Sequence, residues 1–511
     1  VQNLKKKRFL FNAAVLTGTS LVTRTIGISF RVYMSNIIGA EGIGLYQLIC
    51  AVYFFATTFA TSGITLIVTR LVTDCLAKGE TGRAKYVTRR CFLIGLALSL
   101  ACAAALFIFA QPIGEGFLND SRTVLSLRVL APSLPFMAVS ACFRGYFFAR
   151  RTAIKTASEQ LLEQIIEIAV FACVVGTMAP MGLAYACCSV AVGTALSEVV
   201  TCVYSYVLYA MDARKLKGKE TPMPKFLRKV LSIGAPVTAS SCLRSGLSTA
   251  ENMLIPAGFK KYGASYERSL SDYGMITGMV MPVLQFPSAF LMSFSSLMIP
   301  EMSEANAATH KNAIHYMTQR ILRFALLFAV PTAVIFFFFA DSLGKLLYGS
   351  AEVGVYLCVL APIVPLNYLD SVVDGMLKGL NQQMQYLTYN IIDSALRVVL
   401  IFFLLPVMGI KGLVIVMFIS AVLNTSLSLA RLIKVTQVKF HPVEWIFKPF
   451  LASALPCALL GFLDDFGIVP ITGAWTVVLI ALVVLVYILL MTLTGAVKKE
   501  EILWLKGLLK K

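Results

Sequence analysis

Apolar runs of about 20 residues recur along this chain from end to end, the length a helix needs to cross a hydrocarbon core. They fall at about 9–32, 44–72, 91–111, 123–148, 159–179, 183–209, 229–257, 273–300, 319–340, 352–378, 387–407, 411–433, 449–467 and 473–494, fourteen in all. Only the turn APMG at 179–182 divides spans 5 and 6, and only PVMG at 406–409 divides spans 11 and 12. Inside a bilayer every backbone N–H and C=O must find its partner within the protein, so such runs form helices. The expected fold class is an all-α polytopic membrane protein with about 14 transmembrane helices. Of the 511 residues 58% are hydrophobic and 14% charged, which excludes a soluble globule.

The position of the charges supports an even number of spans. Lys and Arg outnumber Asp and Glu by 45 to 26. With the N-terminus inside, the even-numbered connections hold clusters such as Lys85, Arg89 and Arg90, then Arg150, Arg151 and Lys155, then Arg214, Lys215, Lys217, Lys219, Lys225, Arg228 and Lys229. The opposite connections hold only Arg122, Lys260, Lys261, Arg268, Lys345 and Lys411. Excess Lys/Arg is retained on the cytoplasmic side, so both termini are expected there. Lys5, Lys6, Lys7 and Arg8 precede an apolar segment too long for a signal peptide and without a small-residue cleavage site, so no cleavable signal is expected. The cationic tail AVKKEEILWLKGLLKK at 496–511 reads as an amphipathic helix on the anionic inner surface.

The sequence also repeats itself. At an offset of 230, Val129-Leu130-Ala131-Pro132 with Pro135 meets Val359-Leu360-Ala361-Pro362 with Pro365, and Gly145 meets Gly375. At an offset of 220, Ser20 and Arg24 meet Ser240 and Arg244, and Arg31 meets Glu251. Spans 1–6 and 7–12 are thus two copies of one six-helix bundle, and an even helix count per copy makes the repeat parallel. The division expected is 1–215 for the first lobe, 216–433 for the second with a cytoplasmic linker at 216–228, and 434–511 for two added helices and the tail. The paired LAPxxP motifs predict equivalent bends in both lobes.

Charges inside the spans are the candidate functional residues, because a centrally placed arginine costs about 2.5–3.5 kcal/mol on insertion scales and normally faces protein or a watery cavity. Arg24 and Arg31 turn through about 700°, so they share one helix face roughly 10 Å apart. Guanidinium groups bind phosphate oxygens bidentately, so these two and Arg244 are candidates for an anionic headgroup. Arg31 is also placed to snorkel to the outer interface. Glu251 is a candidate charge switch, neutralising an arginine in one state and releasing it in another. Glu159, Glu163 and Glu167 recur every four residues on span 5, where Glu163 and Glu167 are candidates for ion coupling and Glu159 is expected near the cytosol and solvated. Asp370 and Asp374, one turn apart on span 10, are further ion-coupling candidates, while Asp393 and Arg397 form a self-satisfying i,i+4 pair. Arg128 and Arg144 are expected to snorkel from opposite ends of span 4.

Other chemistries lack their residues. None of the twelve cysteines forms a C-x-x-C, and most sit in apolar helix as small hydrophobes. His310, His315 and His441 lie in polar loops, so no catalytic residue, metal site or bound cofactor is expected beyond Na⁺ or H⁺ coupling. No Walker A, G-x-S-x-G or H-E-x-x-H motif is present, so the chain is not expected to be an enzyme.

Two parallel six-helix lobes with two extra helices resemble the multidrug/oligosaccharidyl-lipid/polysaccharide (MOP) exporter superfamily, of which the MATE fold is one form. TRTIGISFRVYMSNIIGAEGIGLYQL at 23–48, FRGYF at 143–147, the EQ at 163–164 and RSGLSTAENMLIP at 244–256 resemble the stage V sporulation protein B group of polysaccharide exporters. The likeness to MurJ-type lipid II flippases is more distant. It rests on Arg24-x-x-Gly27 and Phe286-Pro287, but Phe30 and Pro282 stand where those flippases have arginines. The cavity chemistry that this likeness implies is therefore related to theirs but not identical. The resemblance implies a flippase moving a lipid-linked oligosaccharide or peptidoglycan precursor, on a polyprenyl pyrophosphate, from the inner to the outer leaflet of a bacterial plasma membrane by alternating access. Its implied partners are that substrate and the bilayer, with no nucleic acid, and the chain is expected to be monomeric. A sporulation or cell-wall role follows from the resemblance alone. The alternative on the same fold is a cation-coupled multidrug or metabolite antiporter of the MATE type.

Overall fold

The computed structural model describes residues 2–215, 220–307, 310–438, 440–468, 470–471, 473 and 475–493, with side chains at all of these except 2–17, 153, 293–294, 296–301, 304 and 307. The cationic tail at 496–511, Lys217 and Lys219 of the linker, and Lys439 lie outside the described residues. Every regular element among those described is a helix. They are α1 (Gln2–Thr61), α2 (Ile64–Ala77), α3 (Thr81–Ile108), α4 (Thr123–Leu130), α5 (Leu134–Ala149), α6 (Ala153–Met178), α7 (Leu183–Ala213), α8 (Phe226–Tyr262), α9 (Tyr266–Tyr273), α10 (Met281–Gln285), α11 (Ser288–Ala307), α12 (Lys311–Phe338), α13 (Ala340–Tyr348), α14 (Ala351–Leu360), α15 (Val364–Gly379), α16 (Gln383–Met408), α17 (Ile410–Thr436), α18 (Lys448–Asp465) and α19 (Trp475–Leu493).

Eleven segments among the described residues are long and apolar enough to cross a membrane. One of them, Gly18–Ala77, has 60 residues and would reach about 90 Å if straight. It bends instead at Gly39, whose φ of 70° and ψ of 177° lie where a Cβ is disfavoured. α8, with Arg244 and Glu251 in its middle, and the stretch 266–307, broken at Pro282 and Pro287, are not among the eleven. The paired LAPxxP motifs form matching 3₁₀ turns, Ala131–Ser133 between α4 and α5 and Ala361–Ile363 between α14 and α15.

The helices pack as two units: Val1–Ala257 with Ser265–Gly274, and Gly258–Ala264 with Met275–Lys511. Most of α8, which opens the second sequence repeat, therefore packs within the first unit.

In the first unit a few cross-helix contacts fix the directions of the chain. Gly27 of α1 faces Gln164 of α6, and Phe30 packs edge-on against Phe171, so the first arm of α1 runs parallel to α6. α6 and α7 are antiparallel, joined by Thr194 donating to Glu167 at 2.9 Å and Tyr204 to Ser158 at 3.0 Å. The Cys187 thiol meets the Gly42 carbonyl, and Glu198 acts electrostatically on Tyr53, so the second arm of α1 runs parallel to α7. The two arms of α1 are thus antiparallel about Gly39. α8 is antiparallel to the second arm: Thr249 donates to the Ala51 carbonyl at 3.0 Å and Thr238 to that of Ser62 at 3.1 Å. α9 lies against the bend, so close that a Cβ on Gly44 would collide with the backbone of Leu270 and one on Gly274 with the backbone of Ala40 and Gly44. Beside it Arg122 bridges Glu41 (2.8 Å) and Asp120 (2.8 Å).

In the second unit, α12 is flanked by α15 and by α18, and α18 packs against α19. Pro331 inside α12 has no N–H, which leaves the Leu327 carbonyl without its helical donor. The Tyr487 hydroxyl of α19 donates to that carbonyl at 2.7 Å. Val334 and Phe339 of the α12 segment pack with Cys457 and Leu460 of α18 and Leu479 and Val483 of α19, all nearly fully buried.

Candidate functional site

The register of the first unit ranks its charges by depth. Counted as helical rise from Gly39, Arg31 lies about 12 Å and Arg24 about 22 Å along the first arm of α1. The Thr249–Ala51 pairing puts Glu251 and Arg244 of α8 opposite points about 15 Å and 25 Å along the second arm. Arg24 and Arg244 therefore share one tier, and Arg31 and Glu251 the other. This is the sequence correspondence at offset 220 expressed as level in one packed unit. All three arginines are exposed on their helices, whereas Glu251 is partly buried.

α6 brings carboxylates to the same tiers. Gln164 faces Gly27, midway between the two arginines, with Glu163 and Glu167 on either side of it in sequence. Arg31 acts electrostatically on Glu167, which also accepts the Thr194 hydroxyl. Glu163 is partly engaged on its other side. Arg144 of α5 reaches it at 3.8 Å and Glu159 at 3.5 Å.

Two expectations for this region are corrected. Glu159 is not solvated: it is fully buried, and neither carboxylate oxygen has a hydrogen bond among the described residues. Arg144 does not snorkel but turns inward to pair with Glu159 and Glu163. Both errors have one cause, since distance along a span measures depth and says nothing of which neighbour a side chain meets. A third carboxylate, Glu198 of α7, is only 2% exposed and acts electrostatically with Glu163 and Arg144. Sequence reasoning missed it, although an acid alone within the apolar run 183–209 was signal enough.

The second unit holds a separate acidic group. Asp370 of α15 accepts the Asn424 side-chain N–H at 2.8 Å, and Asp393 of α16 accepts the Ser420 hydroxyl at 2.7 Å. Asp374, one turn after Asp370, acts electrostatically with it and with Lys378. One oxygen of Asp370 and one of Asp374 are buried without a hydrogen bond among the described residues. Asn424 was not anticipated. The expected Asp393–Arg397 pair is present at 3.3 Å. No group of three or more His, Cys, Asp or Glu with metal-holding geometry occurs among the described residues.

Comparison with known proteins agrees with this architecture. The profile of the polysaccharide biosynthesis protein family matches residues 9–306, and that of the MatE family matches residues 276–403. Stage V sporulation protein B of Bacillus subtilis (strain 168) is 27% identical over 521 residues, covering 98% of each chain. Among solved structures, a lipid II flippase MurJ in an inward closed conformation superposes with a TM-score of 0.67 at 13% identity, over 94% of this chain and 99% of that one. An inward-facing MATE family transporter of the MOP superfamily gives 0.63 at 14% identity, over 84% of this chain and all of the other. The chain belongs to the polysaccharide biosynthesis protein family and has the fold of MOP-superfamily membrane transporters.

Proposed function

We propose that this protein is a flippase that moves a lipid-linked oligosaccharide or peptidoglycan precursor, carried on a polyprenyl pyrophosphate, between leaflets by alternating access. The observation that carries this reading is the two-tiered set of Arg24, Arg244 and Arg31 on helices packed together in one unit. Three guanidinium groups there need a reason, since each costs several kcal/mol to insert (about 2.5–3.5 on insertion scales). A pyrophosphate supplies one, with multiple negative charges and oxygens spaced for bidentate pairing. The acids interleaved with the arginines keep the wall from being a permanent anion trap, and Glu251 exchanges partners as the headgroup arrives and leaves. Relatives named as a sporulation protein and a lipid II flippase fit such a cargo.

No nucleotide site motif occurs in the sequence, so transport draws on an ion gradient or on downstream use of the product rather than on catalysis by the chain. Asp370 and Asp374 with Asn424, and Glu163 with Glu167, are the groups through which Na⁺ or H⁺ would couple. The protein works as a monomer in a bacterial plasma membrane with both termini in the cytoplasm. Its test is reconstitution in vesicles with a fluorescent polyprenyl-pyrophosphate saccharide. Arg24→Ala is expected to slow flipping about tenfold or more, as loss of a charge-assisted phosphate contact implies. Flipping at the wild-type rate by Arg24→Ala would refute the headgroup assignment.

A second reading has one observation in its favour. The carboxylates Glu159 and Glu198, buried, and Glu163 and Glu167, half-buried, suit a cation-coupled multidrug or metabolite antiporter, which needs acids for cationic cargo. Proton- or Na⁺-driven efflux of an organic cation by the same vesicles, lost in Glu163→Gln, would establish it in place of the flippase.

A further inference from the structure

The two sequence repeats carry the same apolar groove on one side. In the first, a cavity of about 870 Å³ is lined by residues including Leu96, Phe107, Pro132 and Pro135. In the second, a cavity of about 660 Å³ is lined by Leu326, Phe337, Pro362 and Pro365, each 230 residues on. The grooves differ in what stands beside them. The second is walled by Ile446, Phe450 and Ala454, the i, i+4, i+8 stripe of the α18 segment. The first has no such helix among the described residues.

The difference appears position by position. Val330 on α12 is 5% exposed and its counterpart Leu100 on α3 is 52% exposed. Phe339 is 1% exposed and its counterpart Phe109 is 57%. The uncovered face also has a different composition. Ala97, Ala101 and Ala105, exposed and four residues apart, stand where α12 has Leu327, Pro331 and Ile335. A lipid-facing surface gains nothing from alanine, because acyl chains pack as well against leucine. A small-x-x-x-small stripe lets a second helix backbone approach closely, the main source of helix association where no hydrophobic effect operates.

We propose that the α3 face of the first repeat docks an apolar transmembrane helix of a partner protein, in the place that α18 takes on α12. The alanine stripe is the contact line, and Leu100 and Phe107 flank it. The occupant is a helix rather than a lipid chain because the equivalent groove is bordered by a helix and because the stripe is small. The site lies on α3, α5 and α7 and shares no residue with the arginine tiers, so it is independent of the transport reaction.

The test places a photoreactive amino acid singly at Leu93, Ala97, Ala101 or Leu100 of the full chain in its native membranes, with Val399 and Phe403 of α16 as exposed apolar controls. The expected result is an adduct at the α3 positions only, mapped by fragmentation to one apolar helix of another protein with contacts three to four residues apart. Ala101→Leu, or Ala97→Val should that variant fold poorly, is expected to lower the adduct about tenfold. Flipping or efflux by purified protein in vesicles is expected to be unchanged by either variant, which separates this site from the transport assignment. Lipid adducts alone, protein adducts equal to those of the controls, or an adduct to a second copy of this chain would each overturn the proposal.

Discussion

Arg144 shows what a single charge does at membrane depth. It offsets Glu159, which is fully buried and has no hydrogen bond among the described residues, and it reaches Glu163 as well. Removing one partner of a buried pair costs about 3–5 kcal/mol, because the other charge is left uncompensated. Arg144→Ala is therefore expected to lower the melting temperature in detergent strongly, and Glu159→Gln added to it should restore much of the loss. A double mutant no better than Arg144→Ala would show that Glu159 is not the group at stake. Tyr487 is a neutral counterpart. Its hydroxyl supplies the donor that Pro331 withholds from Leu327. Tyr487→Phe should cost about 1–2 kcal/mol, the penalty of an orphaned buried carbonyl, and much less when combined with Pro331→Ala, which returns the helical N–H. A thermal-stability cycle over the four proteins measures that coupling.

At the scale of elements, the bend in α1 is set by two kinds of glycine. Gly39 supplies a positive φ with an extended ψ, a region essentially confined to glycine, and Gly39→Ala is expected to cost about 1–3 kcal/mol of strain without changing the packing. Gly44 and Gly274 instead supply space, since a Cβ on either would meet backbone of the facing segment. Backbone cannot rotate out of the way as a side chain can, so Gly44→Val should displace α9. Increased protease access near residue 266, against an unchanged pattern for Gly39→Ala, would distinguish the two. The antiparallel register of α8 on the second arm also makes a prediction for transport. Arg24 and Arg244 share a tier, so Arg24→Lys and Arg244→Lys should each keep charge but lose bidentate pairing, and both should slow headgroup transfer more than they weaken protein stability.

At the scale of the whole molecule, much of the architecture was legible in the sequence. Apolar runs and the two offsets gave the helices, their repeat and the correspondence of Arg24 with Arg244 and Arg31 with Glu251. Those are statements about period and order, which a sequence carries directly. What it did not carry was contact. The inward turn of Arg144, the burial of Glu159 and the part played by Asn424 depend on which helix faces which, and no spacing along one span encodes that. The packing of α8 within the first unit has the same status: the repeat locates its start, while the Thr249 and Thr238 hydrogen bonds decide its neighbours.

The Tyr487–Leu327 bond also bears on modularity. The last two helices look detachable, since they lie outside the repeat and follow it in the chain. Yet α12 contains a proline whose missing donor is supplied from α19, and it buries Val334 and Phe339 against α18 and α19. α3, at the corresponding place, has Ala101 and needs no such donor. A chain cut after residue 436 would thus not be a self-contained transporter core. It would carry an unsatisfied Leu327 carbonyl and a bare apolar face, and a functional truncation would have to replace Pro331 at the same time.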